Sequence, residues 1–190
     1  VLFEECIPDK QDMERVVITS SNPVVIILSA KTPDRLLEYV KKLLYYLQTE
    51  KSTISEIDLI NLAYTLQIGR EAMEERLGLI VSSIKELDQK LNNFLDNIPD
   101  IEDLFHGRVN QNNNTMMHFS TDEDLKNAIK VWINKRKYSK LLDLWVKGLD
   151  LDWNSLYVEM KPSRISAPTY PFAKHRYWLK SAVSDIYIES

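Results

Sequence analysis

The 190-residue sequence is poor in the residues on which disulfide scaffolds and nucleotide-binding folds depend. It contains one cysteine, Cys6, and four glycines. A single cysteine excludes an internal disulfide and a cysteine-rich zinc site, and it fits a reducing compartment. No two glycines lie close enough together to form a phosphate-binding loop or a dinucleotide fingerprint. We therefore expect neither of these two classes of protein.

Long apolar runs and a strong positive charge are also absent. Residues 24–28 form the longest strictly aliphatic run, whereas a membrane-spanning helix needs about 20 apolar residues. The first residues lack the basic, apolar and small-residue order of a secretory signal. The formal net charge of −4 provides no general attraction to nucleic acid. We expect a cytoplasmic protein that binds neither membranes nor nucleic acid.

The sequence does contain enough apolar residues to build a core. Hydrophobic residues make up 44% of the chain and charged residues 27%, close to the averages for globular domains. A domain typically has about 100 to 150 residues. We therefore expect one core with attached segments.

Residues 23–110 show the pattern of an α/β domain. A β-branched run at 23–30 predicts a strand buried on both faces, and Thr32 before Pro33 predicts the start of a helix. The predicted order is strand 23–30, helix 33–49, a helix from Ser55 to Gly69, strand 76–81, a helix that begins at Ser83 and a short edge strand at 104–109. The predicted fold class is α/β, with a small three-stranded sheet covered on one face by helices.

Three further segments flank this domain. Residues 1–22 are expected to be an arm that leads into it. After the polar stretch at 110–114, residues 111–150 are predicted to form a helical hairpin, because a capping signal at 121–124 precedes one apolar stripe and a break at 138–140 precedes a second. Residues 151–190 are expected to contain an extended strap, since 161–179 combines prolines, aromatics and basic residues without helical or strand periodicity.

No constellation of side chains in the sequence suggests catalysis. The three histidines, His106, His118 and His175, include no pair at metal-ligand spacing. Cys6 has no neighbours that would make its thiol a nucleophile. We expect no catalytic residue, no cofactor and no metal site.

The predicted hairpin carries a basic cluster and two tryptophans. Lys135, Arg136 and Lys137 resemble patches that bind nucleic acid or a phosphopantetheine group, but they also lie at the end of a helix that starts with acidic residues. The helix dipole favours that arrangement by itself, and we favour this interpretation. Trp132 and Trp145 lie on a hairpin so small that its two faces cannot both be internal, so part of its apolar surface is expected to face a partner.

The strap has a large aromatic surface. Burial of Tyr170, Phe172, Tyr177 and Trp178 would contribute a gross gain of about 10 kcal/mol. The strap can fold back on its own α/β core or cross a neighbouring domain, and we expect a mixture of both.

Two motifs resemble one family of proteins. Residues 165–178 resemble the P-x-Y-P-F-x-x-x-R-Y-W strap that follows the ketosynthase and linker regions of modular polyketide synthases. Residues 62–77 resemble the A-Y-T-L-x-x-G-R-x-x-M-x-x-R-L signature of the adaptor just after the ketosynthase, in synthases whose acyltransferase acts in trans. Residues 1–5 resemble the end of the last ketosynthase strand. Residues 121–149 resemble the laterally interacting ketosynthase sequence, a helical element that joins neighbouring synthases.

The resemblance implies a scaffold without catalysis, since the catalytic cysteine and histidines of the ketosynthase would lie upstream of residue 1. It implies that the segment braces the ketosynthase of the same polypeptide and associates weakly with other copies of itself through helices near 121–149. The alternative that it implies is a docking platform for a trans-acting acyltransferase or an acyl carrier protein. A small independent enzyme is a third class.

Two sets of residues are expected to make these contacts. Those expected at the lateral interface are Leu125, Ile129, Trp132, Ile133, Lys135, Arg136, Lys137, Leu141, Leu142 and Trp145. Those expected to contact the ketosynthase are the strap residues Tyr170, Pro171, Phe172, Arg176, Tyr177 and Trp178. One lateral contact should be weak, because burying a few apolar side chains yields about 3 to 6 kcal/mol and association costs about 4 to 15 kcal/mol. Repetition along a long synthase would raise the effective concentration.

Overall fold

The chain folds around an antiparallel sheet. A computed structural model describes residues 18–49, 55–109, 123–158 and 162–171. From one edge of the sheet to the other, the strands in these ranges are β1 (Val24–Ala30), β2 (Glu75–Val81) and β3 (Leu104–Arg108). All of β2 is buried, which explains why its sequence is nearly continuous in apolar residues. The predicted α/β class and three-stranded sheet are confirmed.

Three helices cover one face of the sheet. They are α1 (Pro33–Thr49), α2 (Glu56–Ile68) and α3 (Ile84–Leu95). Their apolar stripes pack against Ile26, Leu28, Leu77 and Leu79 of the strands in the main core. No helix in the described ranges is both long and apolar enough to cross a membrane.

The starts of α2 and α3 follow the predicted capping signals. The amide of Ser55 donates to Asp58 Oδ2 at 2.7 Å, and the amide of Glu86 donates to Ser83 Oγ at 3.1 Å. Each bond satisfies an amide at the helix N-terminus that has no partner within the helix. These local signals place both helices against the sheet.

The second face of the sheet is also covered by a helix. The hairpin consists of α4 (Glu123–Asn134) and α5 (Tyr138–Val146), and a 3₁₀ helix (Trp153–Tyr157) follows it. The second core consists of Val25, Ile27, Ile80, Leu142, Trp145, Val146 and Trp153. Gly78 of β2 makes room for α5, since a Cβ at this position would lie 2.6 Å from Leu142 Cδ2. The predicted hairpin is thus present, and α5 adds a layer that the sequence did not predict.

Three residues expected at a lateral interface belong to this second layer or its edge. Leu141, Leu142 and Trp145 are at most 1% exposed. The expectation that they face a partner is wrong, because the apolar stripe of α5 packs against the sheet of its own chain. Trp132, on α4, remains half-buried.

The turn between α4 and α5 lies at 135–137 rather than at the predicted break at 138–140. Arg136 has a φ of 53°, and the amide of Lys137 donates to Trp132 O at 2.8 Å. A left-handed residue followed by this bond ends helices in the Schellman motif. Glycine usually takes the left-handed position. Because arginine occupies it here, the sequence contained no signal for the end of α4.

Replacement Leu142→Ala should destabilise the whole domain. The change leaves a cavity against β2, and we expect the free energy of unfolding to fall by about 2 to 5 kcal/mol. Urea denaturation measures it. Ser139→Ala, an exposed change on the same helix, is the control and should alter stability by less than about 0.5 kcal/mol. A loss no larger than that of the control would show that α5 is not part of the core.

Candidate functional site

Residues 162–171 of the strap lie along α2 without regular secondary structure. The amide of Ser163 donates to Asn61 Oδ1 at 2.9 Å, and the amide of Ile165 donates to Thr65 Oγ1 at 3.0 Å. Asn61 and Thr65 are four residues apart and therefore share one face of α2. Side chains of α2 thus satisfy strap amides that would otherwise need a strand or water. We call these contacts between α2 and 162–171 the strap seam.

The far end of the strap seam is held by an arginine and two tyrosines. Arg70 Nη2 donates to Pro168 O at 2.6 Å, and the amide of Lys31 donates to Tyr170 Oη at 3.2 Å. The ring of Tyr170 meets that of Tyr39 edge to face, with centroids 6.3 Å apart. The two motifs quoted above therefore contact each other in the folded chain. The described part of the strap folds back on its own domain, one of the two alternatives left open by the sequence.

Two residues expected to contact the ketosynthase lie in this part of the strap. Tyr170 is half-buried and packs on the main core, and Pro171 is buried. This corrects the expectation for Pro171, whose side chain is covered by its own domain, and it leaves Tyr170 with a partly exposed ring. The other strap residues of that set, Phe172, Arg176, Tyr177 and Trp178, lie outside the described residues.

A buried glutamine satisfies a carbonyl of β1 at the edge of the sheet. Gln67 Nε2 donates to Val25 O at 2.7 Å, and Tyr157 Oη donates to Gln67 Oε1 at 2.6 Å. Burial, and next the neighbouring Tyr138 and Tyr64, raise the pKa of Tyr157 far above its ordinary value. The hydroxyl therefore stays protonated and serves as a donor. Side-chain bonds of this kind protect an edge strand from pairing with other chains.

A cavity of about 420 Å³ opens beside the strap seam. It lies between the C-terminal end of β1, the end of α2 and Tyr170, and Arg70 and Tyr39 also line it. The Arg70 guanidinium lies 5.0 Å from the centre of the Tyr39 ring, and burial lowers the pKa of Arg70. The Tyr39 hydroxyl is buried and has no hydrogen-bond partner among the described residues.

The outer helix α4 has an apolar face that its own chain covers incompletely. None of its residues is buried, although α4 packs on α5 and on the 3₁₀ helix. Leu125, Ile129, Trp132 and Ile133 are half-buried and lie on one side of the helix by their spacing. We call these four residues the α4 face.

The basic cluster at the end of α4 has two different roles. Lys135 and Lys137 are exposed, while Arg136 Nη1 donates to Ser21 O at 3.0 Å. Lys140 Nζ lies 5.4 Å from the centre of the Trp132 ring, a distance at which a cation is attracted to an aromatic face. Arg136 therefore connects the turn to the segment before β1, and the two lysines remain at the surface.

The carboxylate of Glu75 on β2 faces two side chains of β3. His106 Nε2 lies 3.7 Å from Glu75 Oε2, and Arg108 Nε lies 3.3 Å from Glu75 Oε1. In the described ranges, no cluster of three or more histidine, cysteine or acidic side chains could hold a metal ion. His118, His175 and Cys6 lie outside those ranges.

Sequence reasoning missed the polar residues that hold the strap. Asn61 and Gln67 are buried in α2, in a helix whose sequence is otherwise mostly apolar. Buried polar side chains need hydrogen-bond partners, so their presence on this helix was the signal that another segment lies against it. The pair Asn61 and Thr65 at four-residue spacing marked the same face.

Comparison with known proteins identifies the family. Residues 27–98, which include the second half of β1, all of β2 and α1 to α3, match the family described as RhiE-like, KS-MAT linker domain. Residues 27–98 therefore form a linker domain of this family. The chain is also 45% identical over 183 residues to the polyketide synthase PksN of Bacillus subtilis strain 168, an alignment that covers 96% of this chain and 3% of PksN.

Solved ketosynthase structures contain a region with the same fold as this linker. The ketosynthase from module 6 of the bacillaene synthase of Bacillus subtilis 168 matches with a TM-score of 0.73 and 37% identity, over 82% of this chain and 27% of that chain. The ketosynthase from module 1 of the bacillaene synthase of Bacillus amyloliquefaciens FZB42 matches with a TM-score of 0.70 and 41% identity, over 82% and 26%. The linker is thus a polyketide synthase region adjacent to a ketosynthase, and it spans a small part of its relatives.

Replacement Thr65→Val should loosen the strap seam. Valine keeps the shape of threonine but removes the acceptor for the Ile165 amide, so the amide proton of Ile165 should exchange with solvent faster. The free energy of unfolding should fall by about 1 to 3 kcal/mol. Hydrogen exchange followed by NMR, together with urea denaturation, measures both. Ser163→Ala is the matched control, because Ser163 bonds through its backbone amide. Equal exchange at Ile165 in both variants would contradict this role of Thr65.

Proposed function

We propose that the linker is a non-catalytic scaffold in a trans-acyltransferase polyketide synthase of the cytoplasm. In this proposal it braces the ketosynthase of the same polypeptide and associates laterally with a second copy through α4. The observation that carries the proposal is the strap seam, because it fixes the strap on the domain by side-chain contacts. In this proposal, catalysis is carried out by other domains of the synthase.

The bracing role is supported by where the linker fold occurs. Solved chains described as ketosynthases contain this fold as about a quarter of their length. In the linker itself, four hydrogen bonds between side chains and backbone hold residues 162–171. A strap held in this way has a fixed position on the linker. Contacts between the continuing chain and the ketosynthase would therefore fix the linker relative to the ketosynthase.

The lateral role is supported by the α4 face. Its four apolar residues are half-buried. A second copy could therefore cover their exposed apolar area without any rearrangement of the hairpin. Leu141, Leu142 and Trp145 take no part in this contact, because they belong to the chain's own core. A few apolar side chains do not offset an association cost of about 4 to 15 kcal/mol, so the contact needs the high effective concentration of a repeated array.

Charges along α4 favour an antiparallel arrangement of the two copies. Glu123 and Asp124 lie in the first turn of α4, where Glu123 also pairs with the exposed Lys126 of the same helix, and Lys135 and Lys137 lie exposed just after its end. In an antiparallel pair, the acidic end of one copy meets the basic end of the other. Exposed charges of this kind determine register more than affinity. Arg136 is left out of this set, because it bonds to Ser21 of its own chain.

A charge on the α4 face should prevent self-association. In Ile129→Asp a carboxylate would have to be buried against the second copy, so we expect the dissociation constant of the pair to rise at least about tenfold, the equivalent of about 1.4 kcal/mol. Sedimentation velocity of the 190-residue chain from micromolar to millimolar concentration measures it.

The control for this prediction is Asn127→Asp, which adds the same charge on the opposite, exposed side of α4. Circular dichroism melting of both variants shows whether α4 still folds. Unchanged self-association in Ile129→Asp, or a wild-type chain that remains monomeric at millimolar concentration, would exclude a lateral contact through α4.

Docking of a separate acyltransferase or acyl carrier protein is the second candidate function, and a groove beside α1 favours it. Lys41, Lys42 and Tyr45 line this groove together with Thr169 of the strap. Tyr45 is 70% exposed, a high value for a large aromatic side chain on a helix. Lysines beside an exposed aromatic residue suit an acidic partner with an apolar contact point.

Charge reversal in this groove distinguishes the second function. If an acidic partner docks there, Lys41→Glu should weaken its binding about tenfold, through repulsion that salt screens. Isothermal titration of the linker with purified acyl carrier protein and with the acyltransferase measures it. The control is Lys85→Glu, the same exposed change on α3. Equal affinity in the two variants, for both partners, would count against docking at this groove.

A further inference from the structure

We propose that the cavity beside the strap seam is a binding site for a carboxylate group carried on an apolar or aromatic body. Its volume of about 420 Å³ lies within the range of about 300 to 1,000 Å³ for small-molecule sites. The proposal goes beyond the scaffold function and does not depend on it, because self-association through α4 and binding in the cavity are measured separately.

The walls of the cavity are suited to an apolar body. Tyr39, Tyr170, Trp145 and Trp153 line it, and Ile27 of β1 does too. Trp145 and Trp153 meet edge to face, with ring centroids 6.0 Å apart. Aromatic walls with a small number of polar groups are the usual composition of a ligand site.

One polar group in the wall has no internal role. The hydroxyl of Tyr39 has no hydrogen-bond partner among the described residues, although the residue is 1% exposed. A buried hydroxyl without a partner destabilises a fold, and a phenylalanine in its place would avoid that cost. The Tyr39 oxygen has almost no accessible surface in this structure, so a ligand that accepts its hydrogen bond has to displace a neighbouring side chain of the wall.

A second group supplies positive charge. Arg70 is half-buried, and within the described ranges it takes part in no ion pair. Among the described residues its side chain donates one hydrogen bond, to Pro168 O, whereas a guanidinium carries five donors. A carboxylate fits the remaining donors, because a planar anion can accept two parallel hydrogen bonds from arginine.

The other charges around the cavity do not reverse this preference. Glu71 and Asp150 also line it, but both are exposed, so water and salt screen them. A cationic ligand is disfavoured, because guanidinium groups already lie over two of the aromatic rings. Arg70 is 5.0 Å from the Tyr39 ring and Arg76 is 5.2 Å from the Trp145 ring.

The test uses 3-phenylpropionate as the probe, with the neutral 3-phenylpropionamide and inorganic phosphate for comparison. Binding to the 190-residue chain is followed by NMR shifts of the Lys31 and Tyr170 amides. We expect the carboxylate to bind at least about tenfold more tightly than the amide and to move these signals. Failure of the carboxylate to bind, binding equal to that of the amide, or tighter binding of phosphate would overturn the proposal.

A variant tests the role of the hydroxyl. Tyr39→Phe should bind 3-phenylpropionate several-fold more weakly while its melting temperature stays the same or rises. Tyr45→Phe, on the same helix but 70% exposed, should change neither quantity. A lower melting temperature in Tyr39→Phe would show that the chain itself supplies a partner for the hydroxyl, and this would overturn the proposal.

Two sources of the carboxylate can be separated with a second probe. An acetylated and amidated Glu-Phe dipeptide presents a carboxylate beside an aromatic ring, as a partner protein would. Tighter binding of the dipeptide than of 3-phenylpropionate assigns the site to a partner's acidic segment, and the reverse assigns it to a small aromatic acid. If neither probe binds, the proposal fails while self-association through α4 is unaffected.

Discussion

The guanidinium of Arg76 connects the central strand to the helix on the second face of the sheet. Its Nη1 donates to Trp145 O at 2.8 Å and to Leu149 O at 3.2 Å, and its Nε donates to Met73 O at 3.0 Å. Two of these carbonyls lie at or just beyond the C-terminal end of α5, where the helix dipole places a partial negative charge. Because a buried charge needs such partners, β2 depends on α5. The second face of the sheet is therefore buried only when the hairpin packs on it.

This dependence explains which parts of the fold were predictable from the sequence. Local signals such as Thr32 with Pro33, or the β-branched run that forms β1, were sufficient to place the strands and helices of the main core. The position of α5 was not predictable, because an apolar stripe has the same spacing whether it faces its own sheet or a partner. Gly78 indicated that another element packs closely against β2, but a glycine does not identify which element that is. The strap seam was not predictable for a similar reason. Asn61 and Thr65 indicate that a segment with hydrogen-bonding groups lies against α2, but their positions do not identify that segment.

The use of α5 by its own core also limits what the hairpin can offer to another molecule. Its outward surface is α4, a helix without a buried residue that packs on α5 and on the 3₁₀ helix. A helix held by so few contacts opens more easily than the core. A partner that binds the α4 face would therefore stabilise α4 itself, because binding to the folded form shifts the local folding equilibrium. Lateral association and the ordering of α4 are thus coupled in the proposed scaffold.

The strap and the cavity share the residues that connect them. Arg70 holds Pro168 by one donor, and Tyr39 contacts Tyr170 through its ring, while both Arg70 and Tyr39 line the cavity. A ligand that orders these two side chains in their present positions would also strengthen the hold on the strap. By thermodynamic linkage, a strap fixed by a neighbouring ketosynthase would raise the affinity of the cavity by the same factor. The two proposed functions therefore meet at Arg70, where one side chain serves the strap with one donor and has others available to a ligand.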